Sequence, residues 1–255
     1  MRIALKFAYN GIDFHGLSRQ PDVNTVEGKI INSLIQKELI RDIKNSNIRF
    51  ASRTDKGVSA FGNVLSIDLI DEKNILNELN TDFDDIIFYG ITNVDSTFNP
   101  RHAKQRIYRY YISGDYQINE WINLIDIFKG EHDYSNFARI EKYKNPVKKI
   151  DDILIRERDS FCCIEFYAHS FLWHQIRKIM SALIKFEKDK ISSNDIIEAL
   201  INPDKKIDFG LASSTPLVLF DVKYDLNFNY DKKELEKLLI FKKNLLNDIF
   251  KYHVD

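Results

Sequence analysis

The sequence has few of the features that mark exported, membrane-bound or disulfide-rich proteins. Its 255 residues include only two cysteines, which are adjacent at Cys162 and Cys163. Adjacent cysteines suit neither a disulfide framework nor a metal cage, so they are predicted to be core residues of a cytosolic protein. No stretch approaches the ~20 apolar residues of a membrane span. The N-terminus MRIALKFAYN alternates like a strand and lacks a signal-peptide core, so we expect a cytoplasmic protein.

Cofactor motifs are also missing. The sequence contains no G-x-G-x-x-G, no Walker pattern and no G-x-S-x-G elbow. His169 and His174 are five residues apart, and no cysteine or spaced carboxylate completes a set of metal ligands with them. If the chain is an enzyme, we therefore expect side chains alone to do the chemistry, without a metal or any other cofactor.

A strong charge of either sign is absent too. Lysine and arginine total 37 and aspartate and glutamate total 38, which gives a formal net charge of −1. Bulk charge therefore does not indicate a nucleic-acid binder, and any such function must depend on local patches of positive charge.

Periodicity predicts an α+β fold. Residues 2–9 alternate like a half-buried strand, residues 26–35 carry an apolar stripe at helical spacing, and residues 105–112 again resemble a strand. Further helices are predicted at about 172–187 and from Asp231 towards the C-terminus.

No linker or repeat interrupts the chain. We predict two α/β halves, residues 1–100 and 101–255, each mixing strands and helices in a split βαβ, ferredoxin-like manner. The absence of a linker indicates that the halves pack on a common sheet rather than as separate domains.

The stretch ASRTDKGVSAFG, which begins at Ala51, is the first cluster that could carry chemistry. In the simpler interpretation Asp55 caps a turn, Gly57 supplies a positive φ and Arg53 is a surface charge. In the functional interpretation Asp55 is an ionised carboxylate at a loop apex, with Arg53 beside it to handle an anion or a base. The spacing alone supports both. The strand after the loop is predicted at 63–70.

The second cluster is FNPRHAKQRIYRYYI, which has no acidic residue. It interleaves four cations with three tyrosines: Arg101, Lys104, Arg106, Arg109, Tyr108, Tyr110 and Tyr111. Cations neutralise phosphates and aromatic rings stack on bases, so the pattern is typical of an RNA-binding strand. On a strand Arg106, Tyr108 and Tyr110 share a face, with Arg109 on the other. A solvated strand with two buried tyrosines explains the pattern equally well.

The third cluster is HSFLWHQIRKIM. If it is helical throughout, Trp173 and Arg177 lie one turn apart, as do His174 and Lys178. This arrangement fits either a basic functional face or an ordinary amphipathic helix with charges on its surface.

Six segments, in one order along nearly the whole chain, resemble the tRNA pseudouridine synthase A family. LKFAYNGIDFHGLSRQP with TVEG resembles the opening strand and first helix of the family, and SRTDKGVSA resembles its catalytic loop. FNPRHA with R-x-Y-R-Y resembles its second motif, GEHDYSNFAR its H-D-F-x-x-F segment, FLWHQIRKIM its third motif and PLVLFDVKY its terminal strand.

The resemblance assigns roles to particular residues. Asp55 matches the catalytic aspartate, acting as nucleophile or base, and Arg53 matches the arginine that replaces the flipped base in the helix stack. Tyr108 matches the tyrosine that packs on the target base, and Arg177 matches the basic residue that pairs with the aspartate. The residues expected to face the substrate are Arg19, Arg53, Arg101, Lys104, Arg106, Arg109, Arg177 and Lys178.

The resemblance also implies a fold, an activity and partners. The family fold is two α/β halves on a shared antiparallel sheet with the active site in a basic cleft between them. Members need no cofactor, and bacterial members are homodimers, so tRNA and a second copy of the chain are the expected partners. The implied activity is the isomerisation of uridine to pseudouridine around positions 38–40 of the anticodon arm.

Two other functions fit parts of the sequence. One is a catalytically silent tRNA-binding protein on the same scaffold, although binding alone does not require a carboxylate that faces phosphates. The other is a base-excising lyase or glycosidase that uses Asp55 against C1′. Glycosidases usually employ a second carboxylate, and the motifs offer none beside Asp55.

Overall fold

The structure is a computed structural model that describes residues 1–70, 74–113, 118–158 and 161–251. Its elements in chain order are β1 Arg2–Tyr9, α1 Val26–Gln36, β2 Arg49–Phe50, β3 Ser59–Asp68, α2 Ile75–Asn80, β4 Ile86–Asn93, β5 Gln105–Ile112, α3 Ile118–Asp126, β6 Gly130–Asp133, β7 Val147–Ile150, β8 Asp152–Arg158, β9 Phe161–Ala168, α4 Gln175–Glu187, α5 Ser193–Ile201, β10 Leu217–Lys223, β11 Asn229–Tyr230 and α6 Lys232–Lys251.

The chain forms two compact units. The first contains Met1–Lys104 together with the described residues from Val218 onward, and the second contains Gln105–Leu217. The division expected from the sequence, 1–100 and 101–255, had grouped the C-terminal segment with the second half. The segment returns to the first unit because β10 pairs with β3 and Leu238 of α6 packs against Ala8 and Tyr89.

Strands of the first unit lie in the order β11, β4, β1, β3, β10, with β2 also paired to β3. The pairs are antiparallel apart from β10 with β3, which is parallel. In the second unit β9 pairs antiparallel with β5 and β8, and β6 pairs antiparallel with β7. The prediction of an α+β fold on mostly antiparallel strands is confirmed.

Strand β1 is buried on both faces, so the prediction of a half-buried strand was wrong. It lies between β3 and β4, and all eight of its residues are buried. Its two cations are compensated inside the unit: Arg2 binds Asp68 at 2.8 Å, and Lys6 binds Asp221 at 2.6 Å. Cations are usually exposed, so both positions look exposed in the sequence. They are buried here because each cation lies next to a carboxylate.

Strand β3 begins at Ser59, four residues before the predicted start at 63. Ser59 and Ala60 pair in parallel with Val218 and Leu219 of β10. This pairing joins residues far apart in the chain, so local alternation does not reveal it. The first cluster is therefore a shorter loop, residues 51–58, than the sequence indicates.

Helix α4 begins at Gln175, so the prediction of a helix from about 172 was wrong at its start. His174 has a left-handed backbone with φ 64°, and the backbone N–H of Leu172 is bound by Gln175 Oε1 at 2.8 Å. Trp173 and His174 therefore precede the helix, although the Lys178 N–H donates to the His174 carbonyl at 2.9 Å, one turn earlier. The helix buries Ile176, Ile179, Met180 and Leu183.

None of the helices in the described part of the chain is both long enough and apolar enough to cross a lipid bilayer.

Candidate active site

Hydrogen bonds to neighbouring strands hold the part of the loop 51–58 that precedes Asp55. The buried hydroxyls of Tyr9 and Thr54 bind each other at 2.8 Å. The side-chain amide of Asn63 donates to the Ser52 carbonyl at 3.0 Å. Because Tyr9 and Asn63 belong to strands β1 and β3, these bonds fix the loop to the buried sheet of the first unit.

The apex of this loop is a turn with a half-buried carboxylate. The Val58 N–H donates to the Asp55 carbonyl at 3.2 Å, and Gly57 has φ 81°, which favours glycine. The Asp55 side chain is half-buried and that of Arg53 is exposed. The turn described in the simpler interpretation is thus present, and its first residue carries the half-buried carboxylate.

A second loop, residues 10–19, packs directly against the first. The Leu17 N–H donates to the Thr54 carbonyl at 3.1 Å, and the Gly57 N–H donates to the Phe14 carbonyl at 3.3 Å. Gly16 has φ 99°, and a Cβ added there would lie 2.9 Å from the Thr54 carbonyl oxygen. Only glycine fits this contact without a backbone shift.

Gly16→Ala is expected to lower the free energy of unfolding by about 2–4 kcal/mol, because the left-handed backbone and the clash with Thr54 add up. Gly130→Ala is the matched control: Gly130 has φ 92°, but its added Cβ would meet only His132 Nε2 at 3.8 Å. The free energy of unfolding of this control should fall by about 1–2 kcal/mol, which is the cost of the left-handed backbone alone. Urea titration of both variants measures the difference, and equal losses would contradict the contact with Thr54.

Helix α1 starts from the same second loop. Its first N–H groups, on Val26 and Glu27, donate to the carbonyls of Gly16 and Leu17 at 3.3 and 2.9 Å. The Glu27 carboxylate in turn accepts a hydrogen bond from the Arg19 N–H at 2.8 Å. The structure therefore links the Asp55 loop to the helix start, and Arg19 lies exposed at that start.

The remaining basic candidates of the first unit are Arg101 and Lys104, and both are exposed. Lys104 forms an ion pair with Asp225. Such exposed pairs stabilise a protein by less than about 1 kcal/mol, so a phosphate can replace the carboxylate at little cost.

In the second unit the structure brings Tyr108 and the third motif together. Tyr108 is buried on β5, and its ring stands perpendicular to that of Phe171, with centroids 5.4 Å apart. On the same face of the strand, the Tyr110 hydroxyl donates to the Ser213 carbonyl at 3.2 Å. Phe171 was not among the candidates predicted from the sequence, although its place in the third motif was a usable signal.

Arg177 lies in the first turn of α4 and is hydrogen-bonded to a segment later in the chain. Its Nε donates to the Ala212 carbonyl at 2.9 Å, and the Ala212 N–H donates back to the Arg177 carbonyl at 3.2 Å. Lys178 binds Asp208 at 2.8 Å, and this bond is the main cause of the lowered pKa of Asp208. Ala212 thus anchors Arg177 and Asp208 anchors Lys178, and no sequence motif pointed to either contact.

Arg106 and Arg109 hold the strands of the second unit together. Buried Arg106 donates to the His169 carbonyl at 2.5 Å, and Arg109 binds Glu165 of β9 at 2.6 Å. Burial acts to raise the pKa of Glu165, but the hydrogen bond from Tyr167 and the charge of Arg109 outweigh it and lower that pKa. These contacts give both arginines a structural role, and their predicted contact with RNA stays a prediction.

Glu165→Gln is expected to lower the free energy of unfolding by about 2 kcal/mol at pH 7, because it leaves the half-buried guanidinium of Arg109 without its charge partner. Since the folded-state pKa is lowered, the carboxylate stabilises the fold above the unfolded pKa and loses that effect as pH falls through the folded pKa. The deficit of the variant should therefore shrink towards pH 3 in urea titrations. The control Arg156→Gln removes the exposed partner of the same carboxylate and should lose less than about 1 kcal/mol.

No group of three or more metal-ligating side chains occurs among the described residues.

Comparison with known proteins gives first the class and then the family. Residues 124–225 match the family model described as tRNA pseudouridine synthase. Proteins named tRNA pseudouridine synthase A match almost the whole chain. The protein of Thermococcus sibiricus is 38% identical over 99% of this chain and 95% of its own length. That of Pyrococcus furiosus is 36% identical over 99% and 94%, and that of Methanobrevibacter smithii is 35% identical over 97% and 91%.

The matched class is that of the pseudouridine synthases, which are isomerases. Within it, this chain belongs to the tRNA pseudouridine synthase A family.

Proposed function

We propose that this chain converts uridine to pseudouridine in tRNA, with Asp55 as the catalytic group and uridines around positions 38–40 of the anticodon arm as targets. The observation that carries the proposal is the turn at residues 54–58, which presents a half-buried carboxylate from a loop fixed to the sheet. Membership of the tRNA pseudouridine synthase A family supports it.

The reaction needs no redox partner or energy source. The bond between N1 of the uracil and C1′ of the ribose breaks, the base turns, and a bond forms between C5 and C1′. The hydrogen on C5 is released to solvent and N1 takes up a proton, so atoms and electrons balance. An ionised carboxylate serves this exchange by adding to the sugar or the base, or by removing a proton from the sugar.

We assign Tyr108 and Arg177 to the same reaction. Tyr108 holds the detached uracil while it turns, which keeps the second step effectively intramolecular. Its perpendicular contact with Phe171 supports this role because it fixes the orientation of the ring. Arg177 supplies positive charge for the reaction, and its Nε is held by the Ala212 carbonyl.

The exposed cations bind the RNA in this proposal. Arg53 fills the gap that the extruded base leaves, which makes extrusion less costly. Arg19 and Arg101 are exposed and contact phosphates, whereas Lys104 and Lys178 must exchange their carboxylate partners for phosphates. Arg106 and Arg109 are the weakest candidates, since Arg106 is itself buried against the His169 carbonyl and Arg109 is paired with the buried Glu165.

Transcripts with uridine at only one of positions 38, 39 and 40 test the target. After incubation with purified protein, mass spectrometry of the nucleosides should detect pseudouridine in at least one of the three transcripts and none in a transcript with cytidine at all three. Pseudouridine that appears elsewhere in the tRNA would overturn the assignment of positions. No pseudouridine in any tRNA, together with retained tRNA binding, would favour the silent tRNA-binding protein.

We also propose that the chain acts in the cytoplasm as a homodimer, as the resemblance to dimeric bacterial members implies. Light scattering on the eluting protein should give twice the mass of one chain, and the mass of a single chain would contradict the dimer. Recovery of the protein with the membrane fraction of its own cells would contradict cytoplasmic action.

A further inference from the structure

Arg139 and Trp173 form an exposed stacked pair in the second unit. The guanidinium carbon of Arg139 lies 4.1 Å from the centroid of the Trp173 ring. The tryptophan is 41% exposed, and the arginine is exposed as well. A single exposed aromatic ring is ordinary on a protein surface, but a ring held beside a cation offers a stacking face next to a positive charge.

The backbone fixes this pair. The Arg139 N–H donates to the Trp173 carbonyl at 2.8 Å, and the two residues form an isolated antiparallel bridge. The next residue in the chain, His174, has a left-handed backbone, and its ring lies 4.9 Å from that of Trp173. The two side chains are therefore held in place before any ligand binds, which lowers the entropy lost on binding.

The segment that follows Arg139 also combines cations with an exposed aromatic ring. Residues 139–149 contain five cations and one acid, in a protein with a net charge of −1. A turn closed by the Lys144 N–H and the Glu141 carbonyl presents Tyr143, which is 90% exposed. The Lys142 ammonium lies 5.0 Å from the centroid of that tyrosine ring. A second exposed aromatic ring thus also stands beside a cation.

Cations alternating with exposed rings fit single-stranded nucleic acid better than a protein surface. The rings stack on unpaired bases and the cations neutralise the phosphates between them. Arginine in addition stacks through its planar guanidinium. An apolar protein partner would not need five cations on so short a segment.

We propose that Arg139, Trp173 and the turn at 142–144 form a second RNA-contact surface, which stacks on an unpaired base of the bound tRNA and neutralises the phosphates beside it. The surface is distinct from the residues assigned to the reacting uridine. This inference takes from the proposed function only that the bound RNA is tRNA. Binding of tRNA can be measured without pseudouridine formation.

The two tryptophans allow a direct test. Trp121 is fully buried and Trp173 is 41% exposed. In Trp121→Phe the only tryptophan left is Trp173, and its fluorescence should be quenched on titration with tRNA. In Trp173→Phe the only tryptophan left is Trp121, and titration should leave its fluorescence unchanged. Equal responses in the two variants would overturn the proposal, whether or not the protein forms pseudouridine.

Affinity provides the second measurement. Arg139→Gln and Trp173→Leu should each weaken tRNA binding about tenfold, as expected for the loss of one stacked base. KM for tRNA should rise accordingly, while kcat stays within about twofold. The matched control Lys205→Gln removes an exposed cation of the same unit that is paired with Glu198, and it should leave affinity unchanged. Affinities of both test variants within twofold of wild type, with unchanged thermal melts, would contradict the surface.

Discussion

Asp55→Asn is expected to lower the rate of pseudouridine formation at least about 10³-fold while leaving tRNA affinity within a few-fold of wild type. The amide has nearly the same shape but neither adds to a carbon centre nor accepts a proton as a carboxylate does. The turn itself does not depend on the carboxylate, because its hydrogen bond runs from the Val58 N–H to the Asp55 carbonyl. Nucleoside analysis of tRNA after incubation with each protein measures the rate.

The control for this variant is Asp13→Asn. Asp13 is exposed in the neighbouring loop of the same unit, so the substitution makes the same change of charge near the site. It should leave the rate within about twofold, and any gain in tRNA affinity from the lost negative charge should be similar in both variants. A rate for Asp55→Asn within tenfold of wild type would exclude Asp55 as the catalytic group.

Tyr108→Leu is expected to lower kcat at least about 100-fold, because the aliphatic side chain cannot stack on the detached uracil and hold it during its turn. Tyr108→Phe keeps the ring and its perpendicular contact with Phe171, so it should retain kcat within about tenfold. Leucine fills most of the buried volume, which keeps the cost in stability below that of an alanine substitution. Single-turnover rates on a tRNA substrate separate this effect from changes in binding.

Tyr110→Phe is the control substitution on the same strand, at a tyrosine that has no assigned role in the reaction. Tyr110 lies on the same face of β5, and its hydroxyl donates to the Ser213 carbonyl. The substitution should lower stability by about 1 kcal/mol and leave kcat unchanged. If Tyr108→Leu and Tyr110→Phe give equal single-turnover rates, Tyr108 does not hold the base.

The sequence predicted the α+β class and the family because these depend on local signals. Alternation marks the strands, and the motifs around Asp55, Tyr108 and Arg177 each lie in one short segment. The structure keeps the Asp55 loop as a turn and brings Tyr108 to the third motif through its contact with Phe171.

What the sequence could not show depends on partners distant in the chain. Strand β1 looked half-exposed because the sequence does not reveal that Lys6 meets Asp221. Arg109 looked like a phosphate ligand because nothing local indicates Glu165 across the sheet. Helix α4 was predicted to start too early because the helical spacing of apolar residues extends to the N-terminal side of His174. The left-handed backbone of His174 marks the true start of the helix.

The position of Asp55 also depends on contacts that no motif contains. Gly16 packs on the Thr54 carbonyl, and the Tyr9 hydroxyl binds that of Thr54. These contacts join the Asp55 loop to β1 and to the start of α1, so distant substitutions can lower activity by moving the carboxylate. A displacement of about 1 Å is enough to cost a factor of about 100 in rate.

The measurement that tests the central claim most directly is the release of tritium from tRNA carrying 5-³H-uridine, under single-turnover conditions, with wild type and Asp55→Asn. Each forward reaction exchanges the hydrogen on C5, so release counts isomerisation events. We predict release by wild type and none by Asp55→Asn, with tRNA bound by both. Binding by both without release by either would contradict the isomerase function, and equal release by both would contradict the role of Asp55.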